Sequence, residues 1–279
     1  MDLERPSTSA LIRRLREAAR AKPRSIGFAR ERDGDGPAAA VVLLAEVDGL
    51  DSAAASRAAA AGAESVLFAL AADAAGRLVR DPASARSAIE ACGRAAAGVA
   101  VGADGWRFGL PDALVGAGFD YVVANVDGAP ATLLTTEGLA RIARVEEAAQ
   151  TTGLLRALGD LPVDAILAGR TRPGLATSGL SLLDLMSYRH VIECVRQPVV
   201  VVADDSVRPE DVQALRDLGV VGVLVPAASA DRLGPLREAV ASVKAGRAAG
   251  TGGPAVTLPR LTLGQTAEGE GEDDDDDDE

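Results

Sequence analysis

The stretch "PVVVVADDSVRPEDVQALRDLGVVGVLVPAASAD" (residues 198–231) decides the fold. Its four consecutive valines, 199–202, are apolar at every position of the alternation, which suits a strand buried on both faces. A short acidic turn follows, and residues 209–218 then carry helical spacing. Gly219 stands where a helix returning to a sheet takes a left-handed cap. A second apolar run, "VGVLVPA" (221–227), completes a strand–helix–strand unit, the connection that parallel strands require.

The same unit recurs upstream. Apolar runs rich in branched residues occur at 40–47, 65–70, 98–103, 121–126, 139–147 and 164–169. Helical spacing lies between most of them, at 51–61, 84–95, 111–117, 151–159 and 181–195, and again at 231–245 after the last run. The fourth crossover, "DGAPATLLTTEG" (127–138), is too short and too interrupted for a good helix. Eight such runs predict an α/β fold, a (β/α)8 TIM barrel over residues 25–247, with a doubly wound open sheet as the alternative. Residues 1–24 hold an amphipathic helix over 8–21, with Leu11, Ile12, Leu15, Ala18 and Ala19 on one face and Ser7 and Ser9 as cap candidates. Residues 248–279 turn to glycine and proline and then to pure charge, the composition of a disordered acidic tail.

Composition narrows the function. Of 279 residues 48% are apolar but only 3% aromatic, so the core must be built from Ala, Val, Leu and Ile. The net charge of −12 is concentrated in "EGEGEDDDDDDE" (268–279), which holds ten of the 41 acidic residues. The remaining 31 face 29 basic ones, so no nucleic-acid surface is expected, and the tail suits a basic partner if it has one. No apolar window reaches membrane-spanning length, and the first residues lack a signal peptide's apolar core. Cys92 and Cys194 are far apart and read as buried thiols of a cytoplasmic protein. A homo-oligomer is left open.

Two segments resemble a known family. "VLLAEV" (42–47) and "AAASRAAAAGAESVLFAL" (53–70) are similar to the first two βα units of indole-3-glycerol phosphate synthase. Residues 198–231 resemble the last two units of ribulose-phosphate-binding barrels, an aldolase-type superfamily. That resemblance implies a barrel with lyase or isomerase chemistry and a glycine-led phosphate loop. The family's catalytic lysines are missing, because Val47 and Asp48 follow Glu46 and no lysine falls near "AVGADGW" (100–106). The chain has only Lys22 and Lys244, neither at a predicted strand end, so a Schiff-base aldolase is not expected. Asp204, Asp205 and Ser206 stand where the phosphate loop needs close backbone approach, and like charge there opposes a phosphate.

The chemistry must then come from the C-terminal strand ends, where barrel enzymes place it. Glu46, Glu146 and Asp204 are the candidate acid–base residues, since a carboxylate among like charges or in an apolar setting titrates upward. Asn125, Arg170 and Arg172 are candidate ligand-binding residues, the arginines as forks for an anion. Asp104 and Asp204 are candidate ligands for Mg²⁺, which prefers oxygen donors. The plain alternative is that strand ends are wet and polar residues belong there. The lone His190 cannot assemble a histidine metal site or a Ser-His-Asp triad with Ser178 or Ser229. No GxGxxG or Walker sequence supports a nucleotide cofactor. The expectation is an enzyme-like barrel for a small molecule, or else a barrel without catalysis that serves as a binding or scaffold module.

Overall fold

In the computed structural model, which describes residues 9–20, 40–146, 150–169, 179–204 and 207–243, each apolar run becomes a parallel strand. They are β1 (Val42–Asp48), β2 (Ser65–Leu70), β3 (Ala96–Val101), β4 (Tyr121–Asn125), β5 (Ala140–Val145), β6 (Ala165–Ala168), β7 (Val199–Val202) and β8 (Gly222–Val225). Each pairs with the next, and β1 pairs with β8, so the sheet closes into the (β/α)8 barrel. Closure excludes the open sheet. The acidic tail and residues Lys22, Arg170, Arg172, Asp205, Ser206 and Lys244 lie outside the described residues.

The helices are α1 (Ala10–Arg20), α2 (Ser52–Ala60), α3 (Ala72–Arg80), α4 (Arg86–Ala91), α5 (Leu110–Ala117), α6 (Thr152–Asp160), α7 (Leu182–Cys194), α8 (Asp211–Leu218) and α9 (Leu233–Ser242). Two details differ from the sequence reading. The β2–β3 crossover contains an additional helix, α3, and the helix expected over 84–95 is a 3-10 turn at Pro82–Ala85 followed by the short α4. Where a helix looked implausible, the β4–β5 crossover holds only a 3-10 turn, Ala131–Thr135. Gly219 caps α8 at φ 111°, in the left-handed region that a side chain resists.

Two packed layers result. One lies between strands and helices, and the other fills the barrel, with Val42, Leu44, Leu67, Tyr121, Ile142 and Leu224 among its members. Helix α1 closes the N-terminal end of that interior, placing Leu11, Ile12 and Leu15 in it with no exposed surface. Burial of each contributes about 1.5–3 kcal/mol. The ends of α1 are tied as firmly as its face. Asp120, just before β4, accepts from the N–H groups of Ala10 (2.8 Å) and Leu11 (3.1 Å) and from the Ser9 hydroxyl (2.7 Å). Ser9 in turn accepts from the N–H of Ile12, the bond expected of a cap. At the other end the buried Arg216 of α8 donates to the carbonyl of Ala18 (3.0 Å).

Candidate functional site

Alternation along the strands fixes which residues reach the C-terminal end. Val42 and Leu44 point into the barrel, so Glu46 does too, two residues on. The same step leads from Leu67 to Ala69, from Val123 to Asn125, from Ile142 to Arg144 and from Val200 to Val202. On β3 it leads from Ala96 through Gly98 to Ala100. These six end-of-barrel residues are all partly exposed, whereas the residues beneath them are buried. Among the described residues, this partly exposed ring over a buried floor forms the mouth of the barrel.

Only two members of that ring carry charge, Glu46 on β1 and Arg144 on β5. In an eight-stranded barrel closed in sequence order, β1 and β5 are opposite walls. Burial raises the Glu46 carboxyl above its ordinary value, Arg144 draws it back, Asp48 raises it, and a hydrogen bond from the Ala227 backbone N–H lowers it. Glu46 and Arg144 are thus coupled by charge, yet among the described residues no ion pair joins them. Beside Glu46 a cavity of about 430 Å³ opens between α2 and the turn after β8, lined also by Asp48, Asp51, Arg57 and Asp231.

The other candidates are placed as follows. Glu146 follows Arg144 on the same face and accepts from its Nε at 2.7 Å, with its side chain half exposed. Its carboxylate lies over Gly169, where an added Cβ would come within 2.6 Å of Oε2. Asn125 is the register partner of Arg144 on β4, so their side chains stand next to each other at the mouth. Asp204 is half-buried after β7, and its backbone carbonyl accepts from Arg232, as does that of Val207. Asp104 sits in an exposed 3-10 turn after β3. Among the described residues no three of His, Cys, Asp or Glu gather as a metal site.

Arg144 is the residue the sequence reading missed. Its signal was present in "ARIARV" (140–145), where Ile142 and Arg144 share a face and a charge on a barrel-facing position can only be at an end. The Arg232 tie sets the described ends of the β7–α8 loop apart from a phosphate loop. In a phosphate loop, backbone N–H groups face an anion. Here the carbonyls of Asp204 and Val207 accept from a guanidinium of the chain itself.

The remaining singled-out residues are packed away from the mouth. His190 lies on α7, with its Nε2 3.5 Å from the Thr152 hydroxyl and Nδ1 3.9 Å from the Cys194 sulfur. Cys92 is buried, and burial pushes its thiol up to about 11, which leaves it unreactive at neutral pH. Trp106 is half-buried against the outer core, and its indole N–H is buried with no partner among the described residues. No helix among the described residues is long and apolar enough to cross a membrane.

No family model matches the chain, and no curated protein matches it. Solved structures do. Thiamine phosphate pyrophosphorylase from Pyrococcus furiosus aligns at 16% identity and a TM-score of 0.54, covering 73% of this chain and 96% of that one. Tryptophan synthase from Mycobacterium tuberculosis aligns at 21% and 0.55, covering 74% and 93%. A mutant (E74A) tryptophan synthase alpha-subunit from P. furiosus aligns at 14% and 0.54, covering 73% and 97%. These likenesses support the barrel, and not specifically indole-3-glycerol phosphate synthase. At such identities the likeness is one of fold, and the chain is a (β/α)8 barrel.

Proposed function

We propose that the barrel is an acid–base enzyme of lyase or isomerase type, acting on a small molecule held in the mouth, with Glu46 as the proton-transfer group. One observation carries this reading: Glu46 is the one carboxylate among the six described ring residues, and its burial holds it above its ordinary pKa, with a cavity on its α2 side. A carboxyl raised in this way exchanges protons nearer neutral pH than an ordinary glutamate does. The fold neighbours bear enzyme names, a pyrophosphorylase and a synthase, which agrees with a catalytic barrel and names no reaction for this chain. Glu146 and Asp204 flank the site, Glu146 holding Arg144 in place. Asp104 and Asp204 are the donors proposed for Mg²⁺, but proton transfer by Glu46 does not depend on them. A cytoplasmic setting belongs to the same proposal.

A second reading, a barrel without catalysis that serves as a binding or scaffold module, draws on the rim of β7 and β8. There Arg232 ties the backbone carbonyls of Asp204 and Val207 into the protein itself, which suits a structural role for that rim.

Exchange of carbon-bound protons with D₂O separates the two readings. Pyruvate, dihydroxyacetone phosphate and glyceraldehyde 3-phosphate are incubated with the full chain and followed by proton NMR. The enzyme reading expects catalysed loss of a C–H signal with at least one of them, reduced about 10²–10⁴-fold in Glu46→Gln. Exchange undiminished in that variant, or none with any of the three, contradicts it.

A further inference from the structure

The mouth has a second half, opposite Glu46, and its chemistry identifies the ligand. Arg144 and Asn125 are register partners on adjacent strands with side chains on the same face, so a guanidinium and an amide stand side by side. The rest of the ring, Ala69, Ala100 and Val202, is small and apolar. We infer that the mouth binds a small monocarboxylate, its carboxylate held by Arg144 and Asn125 and its reacting carbon turned across the barrel towards Glu46. The inference rests on the reading of Glu46 as the proton-transfer group and adds the substrate class.

Four observations lead there. Arg144 bonds Glu146 through Nε only, which leaves the other guanidinium nitrogens for an acceptor, and a planar fork matches a carboxylate. The bond to Glu146 is half exposed, and ion pairs of that kind are weak, so an incoming carboxylate can compete for the guanidinium. Glu146, bonded to Arg144, and Asp48, which acts on Glu46, already bring negative charge to this end of the barrel, so a singly charged ligand is accommodated where a dianion would be repelled. Arg232, at the loop after β7, is engaged through two nitrogens by the carbonyls of Asp204 and Val207, which leaves Arg144 as the ring's own guanidinium. Charge and shape therefore favour carboxylate over phosphate, and the Ala/Val wall favours a short carbon chain.

The test is calorimetric titration of the full chain with pyruvate, with acetate and with inorganic phosphate at constant ionic strength. The inference expects saturable pyruvate binding, weaker acetate binding at the same site, and phosphate binding at least tenfold weaker than pyruvate. Arg144→Gln should weaken pyruvate at least tenfold. Arg144→Lys, which keeps the charge and loses the fork, should fall between. Arg77→Gln, exposed on α3 and paired there with Asp73, should leave the affinity within twofold, which excludes a general charge effect. Thermal melts of each variant verify folding, and if Arg144→Gln is unfolded the lysine variant carries the comparison. Phosphate binding more tightly than pyruvate, no saturable pyruvate binding, or pyruvate affinity equal in wild type and the Arg144 variants overturns the inference. If exchange of C–H protons still depends on Glu46 in that case, the acid–base reading survives without the carboxylate.

Discussion

A Gly98→Ala substitution is expected to destabilise the barrel by about 3 kcal/mol or more, at the upper end for overpacking a core. The added Cβ would lie 2.0–2.3 Å from three ring carbons of Tyr121, far inside contact distance. That ring cannot swing aside. Tyr121 has no exposed surface, and its hydroxyl is 2.8 Å from the Ser65 hydroxyl, which itself donates to the Ala96 carbonyl at 2.9 Å. With the Ser65 proton committed, the Tyr121 O–H is the donor, and moving the ring would leave a buried hydroxyl without its acceptor. Chemical denaturation of wild type, Gly98→Ala, Tyr121→Leu and the double variant measures the effect. A smaller side chain at 121 makes room for the methyl, so the double variant should lose clearly less than the two single losses combined. Losses that simply add would show that the two residues do not share the space.

Removing the anchor of α1 should have an effect of similar size. Asp120→Ala takes the acceptor away from two helix N–H groups and the Ser9 hydroxyl, and takes a negative charge from a helix N-terminus. Hydrogen bonds to a charged group contribute about 1.5–3 kcal/mol each, and water can replace part of that at a half-buried site. A net loss of about 3 kcal/mol is expected, which for a chain of this size is roughly 6–12 °C in melting temperature. Asp120→Asn, which keeps the shape without the charge, should lose less. A loss below about 1 kcal/mol for the alanine variant would mean that α1 is not needed to close the barrel.

The strands were legible in the sequence because they are buried on both faces, so Val199–Val202 and Val66–Phe68 read as unbroken apolar runs whatever lies around them. Helix α3 was not, because it is short, begins directly after β2 without a side-chain cap and carries Gly76 at its middle. The mouth divides in the same way. Glu46 was legible from its position at the end of an apolar run. Arg144 was hidden by the prominence of Glu146 beyond it, although alternation from Ile142 points to it. Asp120 and Arg232 could not be read, since their partners are 109–111 and 25–28 residues away and are mostly backbone groups that only the closed barrel brings near.

The central claim is that Glu46 is a proton-exchanging carboxyl at the barrel mouth, and its own titration tests it most directly. Carbon-13 NMR of glutamate-labelled protein, assigned by comparison with Glu46→Gln, follows that one carboxyl through pH 3–9. The raised folded-state value has a consequence for stability. The fold favours protonated Glu46 over the charged form, so its favourable contribution is full below the unfolded value near 4.5 and is lost as pH rises through the folded value. Glu46→Gln should therefore melt higher than wild type at neutral pH, with the difference closing below about pH 4. The account predicts a Glu46 midpoint clearly above that of an ordinary glutamate, moving further up in Arg144→Gln because the neighbouring positive charge is gone. A midpoint at or below 4.5, indifferent to Arg144, would contradict it.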